Sequence, residues 1–218
     1  KGTVSLMAAV RDAGVKRVVL ASSGAAYGEQ QQQPIAETAQ LRPQTPYAVS
    51  KLASEHYLLA IGELWKIETV ILRVFNAYGA GQPLPASHAP VIPRMLAQVL
   101  GGGSAVVFGG GEQSRDFVYI DDVVRAMCAA SQVTGLNRAI FNVGSGVETT
   151  LNQLMQAIGE VTGREVHRLD RRTESGGVSR LVADIQRAKE VLGFAPAFSL
   201  REGLRQTLKL DPRFNKTS

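Results

Sequence analysis

Tyr47 and Lys51 lie four residues apart in the segment PYAVSKLASEHYLLA. Four residues make about one helical turn, so both side chains project from the same face of a helix. A phenol ordinarily titrates near pH ~10, and it acts as a base at neutral pH only where a positive charge stabilises the phenolate. Lys51 can supply that charge, and Ser23, at the end of an earlier apolar run, can hold the hydroxyl whose proton Tyr47 removes.

The alternative interpretation of this pair is a solvent-exposed helix face, because Tyr-x-x-x-Lys is a weak motif by itself. The context of the pair favours a catalytic role over a solvent-exposed helix face. Pro46 fits the first turn of a helix, an apolar strand that ends in small residues precedes the pair, and R-x-x-N-x-Y-G follows it from Arg73.

The order of elements predicts an α/β fold. Residues 2–14 have helical periodicity, VKRVVLASS is typical of a buried parallel strand, and a helix is predicted from Tyr47 to about Trp65. The next apolar run, IETVILRVFNAYG, is predicted as a second strand. Strand, helix and strand in this order favour right-handed crossover units in a parallel sheet.

The second half of the chain continues the alternation. AVVFGGGEQSRDFVYI is interpreted as a hairpin with its turn at GGGE. DDVVRAMCAASQ is predicted as a helix, AIFNVGSG as a buried strand, and TLNQLMQAIGEVTG as a helix that stops at Gly163.

Composition narrows the function classes. The 218 residues are 44% hydrophobic, and the net charge of +5 is spread along the chain. Aromatic residues make up 6% and no stacking platform is visible, so nucleic-acid binding is not favoured. The arginines between Arg164 and Arg180 are interpreted either as solvated surface or as a site for a phosphate-bearing substrate.

Cysteine and histidine usage points away from disulfides and metals. Cys128 is the single cysteine and is interpreted as a buried, inert thiol, which fits a reducing, cytoplasmic location. The three histidines, His56, His88 and His167, lack the spacing of metal ligands, so no metal site is predicted. No run of 18 apolar residues predicts a membrane span.

A dinucleotide-binding turn is missing from the sequence. No Gly-x-x-Gly-x-x-Gly follows a strand and opens a helix, and the glycines of GVKRVVLASSGAAYG have the wrong spacing. Because such a turn binds the pyrophosphate of a dinucleotide, either the chain binds none or the part that binds it lies outside these residues.

Six motifs together carry a family resemblance: ASSGAAYGEQ, PYAVSK, LRVFNAYGAGQ, QSRDFVYIDDVV, FNVGSG and VADIQRAKEVLGFAP. With them the chain resembles the extended short-chain dehydrogenase/reductase family, in its NAD-dependent nucleotide-sugar epimerase/dehydratase branch, over nearly its whole length. Members of that family are longer at the N-terminus, where the glycine-rich turn lies. The resemblance therefore implies the C-terminal two-thirds of such an enzyme.

The fold implied by the resemblance is the C-terminal part of a doubly wound Rossmann-type parallel sheet with a small α/β substrate domain. Residues 1–79, with a strand and helix returning at about 115–150, would belong to the NAD-binding domain. Residues 80–115 and 151–212 would bind the nucleotide sugar, and 213–218 would form a tail.

The resemblance also implies roles for the site residues. Tyr47 would be the catalytic base and acid, Lys51 the cation that stabilises its phenolate, and Ser23 the partner of the sugar hydroxyl. Ser22, Tyr47, Lys51 and Phe75 would lie against the NAD cofactor.

Substrate contacts are implied at residues spread along the chain, and they are Ser23, Asn76, Val107, Phe108, Arg115 and Arg172. Leu181 matches a position that limits the size of the sugar. Pro90 stands where many relatives have Asn, and it has neither a side-chain amide nor a backbone N–H.

The residues after Ser23 bear on the reaction type. Gly24 and Ala25 cannot transfer protons, whereas eliminating water from a sugar needs an additional acid and base. An epimerase needs one base and a reversible hydride carrier. The resemblance thus implies a UDP-hexose 4-epimerase, as a homodimer through the Tyr47 helix and the helix before it.

Alternatives to the epimerase interpretation stay open on the sequence. An incomplete or non-catalytic Rossmann-type protein is one, and a related nucleotide-sugar dehydratase or reductase is another. An RNA-binding relative ranks below both. The identity of the sugar and of its nucleotide cannot be read from these residues.

Overall fold

The computed structural model describes residues 2–85, 89–171 and 178–215. Within these ranges the helices are α1 Gly2–Asp12, α2 Pro46–Trp65, α3 Val91–Leu100, α4 Ile120–Gln132, α5 Leu151–Thr162, α6 Gln186–Leu192 and α7 Leu200–Leu210. The strands are β1 Arg17–Ser23, β2 Glu68–Val74, β3 Asn76–Tyr78, β4 Ala105–Phe108, β5 Ser114–Tyr119, β6 Ala139–Val143, β7 Glu148–Thr150, β8 Arg168–Arg171 and β9 Arg180–Leu181.

Helix α2 begins where the sequence predicts it. The Thr45 side chain accepts a hydrogen bond from the backbone N–H of Ala48 at 3.1 Å, and Pro46 occupies the first turn. A side-chain oxygen at the N-cap satisfies an amide that has no partner within the helix. The helix ends before Lys66, which adopts the left-handed conformation with φ of 57°.

A three-stranded parallel sheet carries α2. Its strand order is β1-β2-β6, and the register pairs Ser22 with Arg73 and Val74 with Val143. The carboxyl ends of the three strands therefore lie side by side. The predicted α/β fold with a parallel sheet is confirmed.

Helices cover both faces of this sheet. Ile71 packs with α1 and α2 in one core, whereas its neighbours Val70 and Leu72 pack with α4 and α6 in another. Consecutive side chains of a strand point to opposite faces, so a strand made almost wholly of apolar residues is buried on both sides. The layering is that of a doubly wound fold.

The run IETVILRVFNAYG does not form the one continuous strand that was predicted. The Phe75 N–H donates to Val143 O at 2.9 Å, and the Ala77 N–H donates to Phe75 O at 2.7 Å. This tight turn redirects the chain, so β2 stays in the parallel sheet while β3 joins a second sheet. There β5 pairs with β3, β7 and β9.

The predicted hairpin at GGGE is wrong. β4 pairs in parallel with β8, and β5 pairs with other strands. The three residues Gly109–Gly111 all have positive φ, between 57° and 79°. Such angles are accessible to glycine at little cost, and here they turn the chain away from β4. Local pattern cannot distinguish this turn from a hairpin turn.

The remaining described elements form a second core. It is built from α3, α5, α7 and strands of the smaller sheets, with fully buried side chains such as Met95, Leu96 and Leu154. Cys128 lies on the exposed side of α4, so the interpretation as a buried thiol was wrong. None of the helices in the described ranges is both long and apolar enough to cross a bilayer.

Asp116 ties three separate segments together. Its buried carboxylate accepts hydrogen bonds from the backbone N–H groups of Ser145, Gly146 and Ala183, at 2.6, 2.9 and 3.1 Å, and from the Ser145 hydroxyl at 2.6 Å. These donors lie in the turn after β6 and in the segment after β9. The carboxylate thus supplies the partners that irregular buried backbone needs.

Asp122 likewise accepts hydrogen bonds from backbone N–H groups, here those of the loop before α7. It is fully buried, and its carboxylate accepts from the N–H groups of Ala197 and Phe198 at 2.9 and 3.3 Å and from the Arg125 guanidinium. Its neighbour Asp121 is exposed.

The substitution Asp122→Asn is expected to lower the free energy of unfolding by about 1–3 kcal/mol, because the amide NH2 replaces an acceptor and leaves a buried N–H unsatisfied. Asp121→Asn, one residue away on the same helix, is the matched control and should change it by less than about 0.5 kcal/mol. Urea denaturation of both variants measures the difference. Equal effects would contradict the role given to Asp122.

Candidate active site

A cavity of about 380 Å³ opens at the carboxyl ends of β1 and β2. Open α/β sheets bind ligands at this edge. The lining residues come from β1 and the turn after it, the start of α2, the β2–β3 junction, the segment after β3, and β9. They are Ser22, Ser23, Ala25, Tyr47, Val74, Phe75, Asn76, Ala77, Gln82 and Leu181.

Tyr47 and Lys51 lie on one face of α2. The Tyr47 side chain is exposed and lines the cavity, and the Lys51 Nζ lies 5.8 Å from the centre of its ring. The same Nζ donates a hydrogen bond to the Ala21 carbonyl at 3.1 Å. That bond anchors the ammonium beside the phenol. Tyr47 is the one ionisable side chain among the described residues that line the cavity.

Ser22 and Ser23 stand at the end of β1 with different partners. The Ser23 Oγ accepts from the Ala25 N–H at 3.2 Å, so its own proton is available to a group in the cavity. The Ser22 hydroxyl donates to the Glu55 carboxylate instead.

Phe75 forms part of the wall, packed against Gly24. A Cβ added at Gly24 would lie 3.0 Å from two carbons of the Phe75 ring, closer than ordinary contact. Glycine at this position therefore lets the aromatic ring approach the turn after β1. This close approach sets the position of the Phe75 ring in the cavity wall.

Two amide oxygens of residues that line the cavity accept no hydrogen bond from the part of the chain that the structure describes. They are Oδ1 of Asn76 and Oε1 of Gln82, and both are buried. The Gln82 Nε2 donates to the Ala77 carbonyl at 3.1 Å, which fixes which end of the amide is the oxygen. Buried polar atoms without partners are rare in folded proteins, so both oxygens are suited to meet hydroxyl or N–H donors of a ligand.

Arg115 lies next to the cavity wall, since the register pairs it with Leu181. It donates to the carbonyls of Ser114 and Ser179 at 2.7 and 3.4 Å, and no described carboxylate lies within ion-pair distance. Burial lowers the pKa of its guanidinium, although the charge of Glu29 opposes this. Such a cation is suited to an anionic ligand.

The other predicted contacts are not gathered at the cavity. Val107 is fully buried in the second core, and Phe108 follows it at the end of β4. Arg172 lies outside the described residues. Within the described ranges, no group of three or more His, Cys, Asp or Glu is arranged to hold a metal ion.

Sequence reasoning missed the charged pair below the cavity. Glu55 and Arg73 are 2% and 3% exposed and form an ion pair at 2.7 Å. A signal was present, since Glu55 continues the face of Tyr47 and Lys51 by one more turn and Arg73 opens the R-x-x-N-x-Y-G motif. Gln82 was also missed, although it ends the motif LRVFNAYGAGQ.

Comparison with known families decides the relationship. Residues 1–144 match the model of the NAD dependent epimerase/dehydratase family. The chain belongs to this family.

Individual relatives agree with that assignment. The chain is 36% identical over 209 residues to the UDP-glucose 4-epimerase of Mycolicibacterium smegmatis, and the match covers 95% of this chain and 66% of that protein. The chain thus spans just under two thirds of that relative's length.

Two solved structures share the fold closely. One is the UDP-glucose 4-epimerase of Thermotoga maritima with UDP-glucose, with a TM-score of 0.90, 35% identity, and coverage of 99% of this chain and 69% of that chain. The other is the Thermus thermophilus UDP-glucose 4-epimerase with NAD, with a TM-score of 0.86, 31% identity, and coverage of 100% and 70%. The family is NAD-dependent, and the predicted Rossmann-type fold is confirmed.

The segment that carries Gln82 is held by the C-terminal end of the described chain. The buried Asp211 carboxylate accepts from the Gly81 N–H at 2.9 Å and from the Arg213 side chain, which also donates to the Gln82 carbonyl at 2.8 Å. The Arg213 guanidinium, assisted by backbone N–H groups, holds the pKa of Asp211 well below its ordinary value although burial opposes the shift.

A lowered pKa in the folded state means that Asp211 stabilises the protein above the unfolded value of about 3.9 and that this contribution is lost as the pH falls further. Asp211→Asn should therefore lower the free energy of unfolding at pH 7 and flatten its decline below about pH 4. Urea denaturation across the pH range measures both effects. Asp170→Asn, at an exposed ion pair, is the control, and an equally steep decline in the Asp211 variant would reject this account.

Proposed function

We propose that this protein is an NAD-dependent epimerase of a nucleotide sugar, most simply at C4 of a UDP-hexose, with Tyr47 as the base. The observation that carries the proposal is the cavity that Tyr47 and Ser23 both line, with the ammonium of Lys51 anchored beside the phenol ring. The similarity to UDP-glucose 4-epimerases supports the choice of substrate.

Each residue has a chemical task in this reaction. The free proton of the Ser23 hydroxyl bonds the oxygen of the reacting sugar hydroxyl, which orients it toward Tyr47. The Tyr47 phenolate removes the hydroxyl proton and later returns it, and Lys51 stabilises the phenolate between these steps. NAD supplies the reversible hydride acceptor that lets the sugar carbon change its configuration.

The described residues suit the nicotinamide end of the cofactor. Ser22, Lys51 and Phe75 would hold it, because they lie at the carboxyl ends of β1 and β2 or on the adjacent helix face, where an α/β sheet binds such a ligand. On the substrate side, Asn76 and Gln82 offer hydroxyl donors side-chain oxygens that accept from no described residue, and Arg115 offers a cation to the diphosphate. Residues 80–115 and 151–212 would form the unit around the nucleotide.

Epimerisation fits the cavity better than dehydration does. Eliminating water needs an acid and a base beyond the group that handles the oxidised hydroxyl. Gly24 and Ala25 have no proton to transfer, and no carboxyl group lines the cavity among the described residues. Leu181 lies in its wall, where its size would limit the sugar substituent.

The substitution Tyr47→Phe tests the proposed base. It should lower kcat for the interconversion of UDP-glucose and UDP-galactose by about 10²–10⁴-fold, because general base catalysis contributes roughly this much, while leaving UDP-glucose binding intact. Tyr57→Phe is the matched control, since Tyr57 is an exposed tyrosine further along the same helix. Undiminished activity in the Tyr47 variant would reject the assigned role.

A second copy of the chain is the partner we propose for the outer face of α1 and α2. Exposed apolar side chains lie along these two helices, and they are Val4, Leu6, Val49, Tyr57 and Leu64. Large exposed apolar side chains that cluster on a surface commonly mark an interface.

A charged side chain introduced on that face should prevent two copies of the chain from associating. Leu64→Glu is expected to convert the dimer to a monomer in light scattering, because a carboxylate would be buried without a partner. Leu210→Glu, at another exposed leucine, in α7, should leave the mass unchanged. A monomeric unaltered protein would refute the proposal.

A further inference from the structure

Ser22 lies at the floor of the cavity, but its only proton is already in use. The residue is 4% exposed, and its hydroxyl donates to Oε1 of Glu55. A hydroxyl carries one donor and two acceptor lone pairs. Toward the cavity, therefore, Ser22 can offer only lone pairs.

The direction of that hydrogen bond is set by Arg73. Its Nε lies 3.1 and 3.2 Å from the two Glu55 oxygens, and a terminal nitrogen lies 2.7 Å from Oε2. Because a guanidinium stays charged in proteins, the carboxylate that it pairs with is ionised and has no proton to give. The proton in the Ser22–Glu55 bond must then come from Ser22.

The neighbouring residue, Ser23, has the opposite hydrogen-bonding arrangement. Ser23 accepts from the Ala25 N–H, so its hydroxyl proton is free for the cavity. Two adjacent serines at the end of one strand thus present one donor and one acceptor to whatever the cavity binds.

We propose that Glu55 and Arg73 are positioning residues that make Ser22 an obligate acceptor for a hydrogen-bond donor of the bound ligand. The inference rests on the proposed function, which supplies two sources of such a donor. One is the carboxamide N–H of the nicotinamide, and the other is a hydroxyl of the sugar or ribose.

Removing the Ser22 hydroxyl tests the contact and identifies its source. Ser22→Ala in the intact protein should raise the Kd of either NAD or UDP-glucose, measured by calorimetry, by roughly 2- to 10-fold, the range of one neutral hydrogen bond. The ligand whose Kd changes carries the donor. Ser22→Thr keeps the hydroxyl and should restore the Kd. Unchanged affinity for both ligands in the Ala variant would overturn the proposal.

A double-mutant cycle tests whether Glu55 acts through Ser22. Glu55→Gln introduces an amide NH2 that can donate to Ser22 and reverse the bond, so it should raise the same Kd in the Ser22 protein. In the Ser22→Ala background it should raise the Kd no further. Equal losses in both backgrounds would mean a merely structural role and would overturn the assignment.

An ion pair between β1 and β2, away from the cavity, provides the control. Arg17 and Glu68 are register partners at the far end of β1 and β2, with Nε and Oε2 2.8 Å apart. Glu68→Gln should leave both Kd values unchanged, and a rise equal to that of Glu55→Gln would reject the proposal.

Two outcomes separate this inference from the proposed function. If Glu55→Gln does not fold, the Ser22→Ala and Ser22→Thr pair still decides the contact. If the unaltered protein binds neither NAD nor UDP-glucose, the proposed function fails, and this inference fails with it. If the unaltered protein binds both and Ser22→Ala changes neither, only the inference fails.

Discussion

The ion pair between Glu55 and Arg73 holds helix α2 against the strands that form the floor of the cavity. Two charges taken out of water cost several kcal/mol each, and their attraction offsets this only where the remaining donors and acceptors are satisfied. Here they are satisfied. Glu55 accepts from Arg73 and Ser22, while the other terminal nitrogen of Arg73 donates to the Tyr27 hydroxyl at 3.0 Å and the Glu37 carbonyl at 3.4 Å.

The pair belongs to a longer buried network. Burial raises the pKa of Tyr27, so its phenol keeps the proton that it donates to Asn142 Oδ1 at 2.7 Å. The Asn142 amide donates in turn to the carbonyls of Ile35 and Asp184 at 2.8 and 3.2 Å. One connected set of hydrogen bonds therefore joins α2, the loop before it and the segment that follows β9. A partly satisfied network of this kind would cost stability, and a satisfied one favours a single arrangement of these parts.

Three further carboxylates organise irregular backbone in the same way. Asp116, Asp122 and Asp211 are buried, and each accepts from two or more backbone N–H groups. For Asp116 and Asp122 these donors are distant in sequence, and for Asp211 the distant donor is Gly81. Loops that pack against a core cannot reach water for every amide. A carboxylate has acceptor capacity for several donors at once, so one residue can fix the crossing point of two or three segments. The cavity walls depend on two of these points, at Asp116 and Asp211.

The elements around Tyr47 were predictable because their signals are local. Thr45, Pro46 and the helical spacing of Tyr47 and Lys51 all act within two turns of one helix. The strand predictions that were wrong depended on contacts between residues far apart in the sequence. β3 leaves the line of β2 because Phe75 binds the backbone of Val143, and β4 pairs with β8 rather than with its neighbour in sequence. The alternation of apolar residues in β4 is the same whether the strand pairs with β8 or with β5.

Local sequence patterns were enough to show that Tyr47 and Lys51 share a helix face, that strands and helices alternate, and which family motifs the chain carries. Only the folded chain brings Lys51 to the Ala21 carbonyl, places Ser22 and Ser23 in the lining of one cavity with different hydrogen-bond partners, and pairs Glu55 with Arg73. The physical reason is the range of the forces involved. The periodicity and capping of an element depend on neighbours a few residues away, whereas the partner of a buried polar group depends on strand register and packing, which no short stretch of sequence contains.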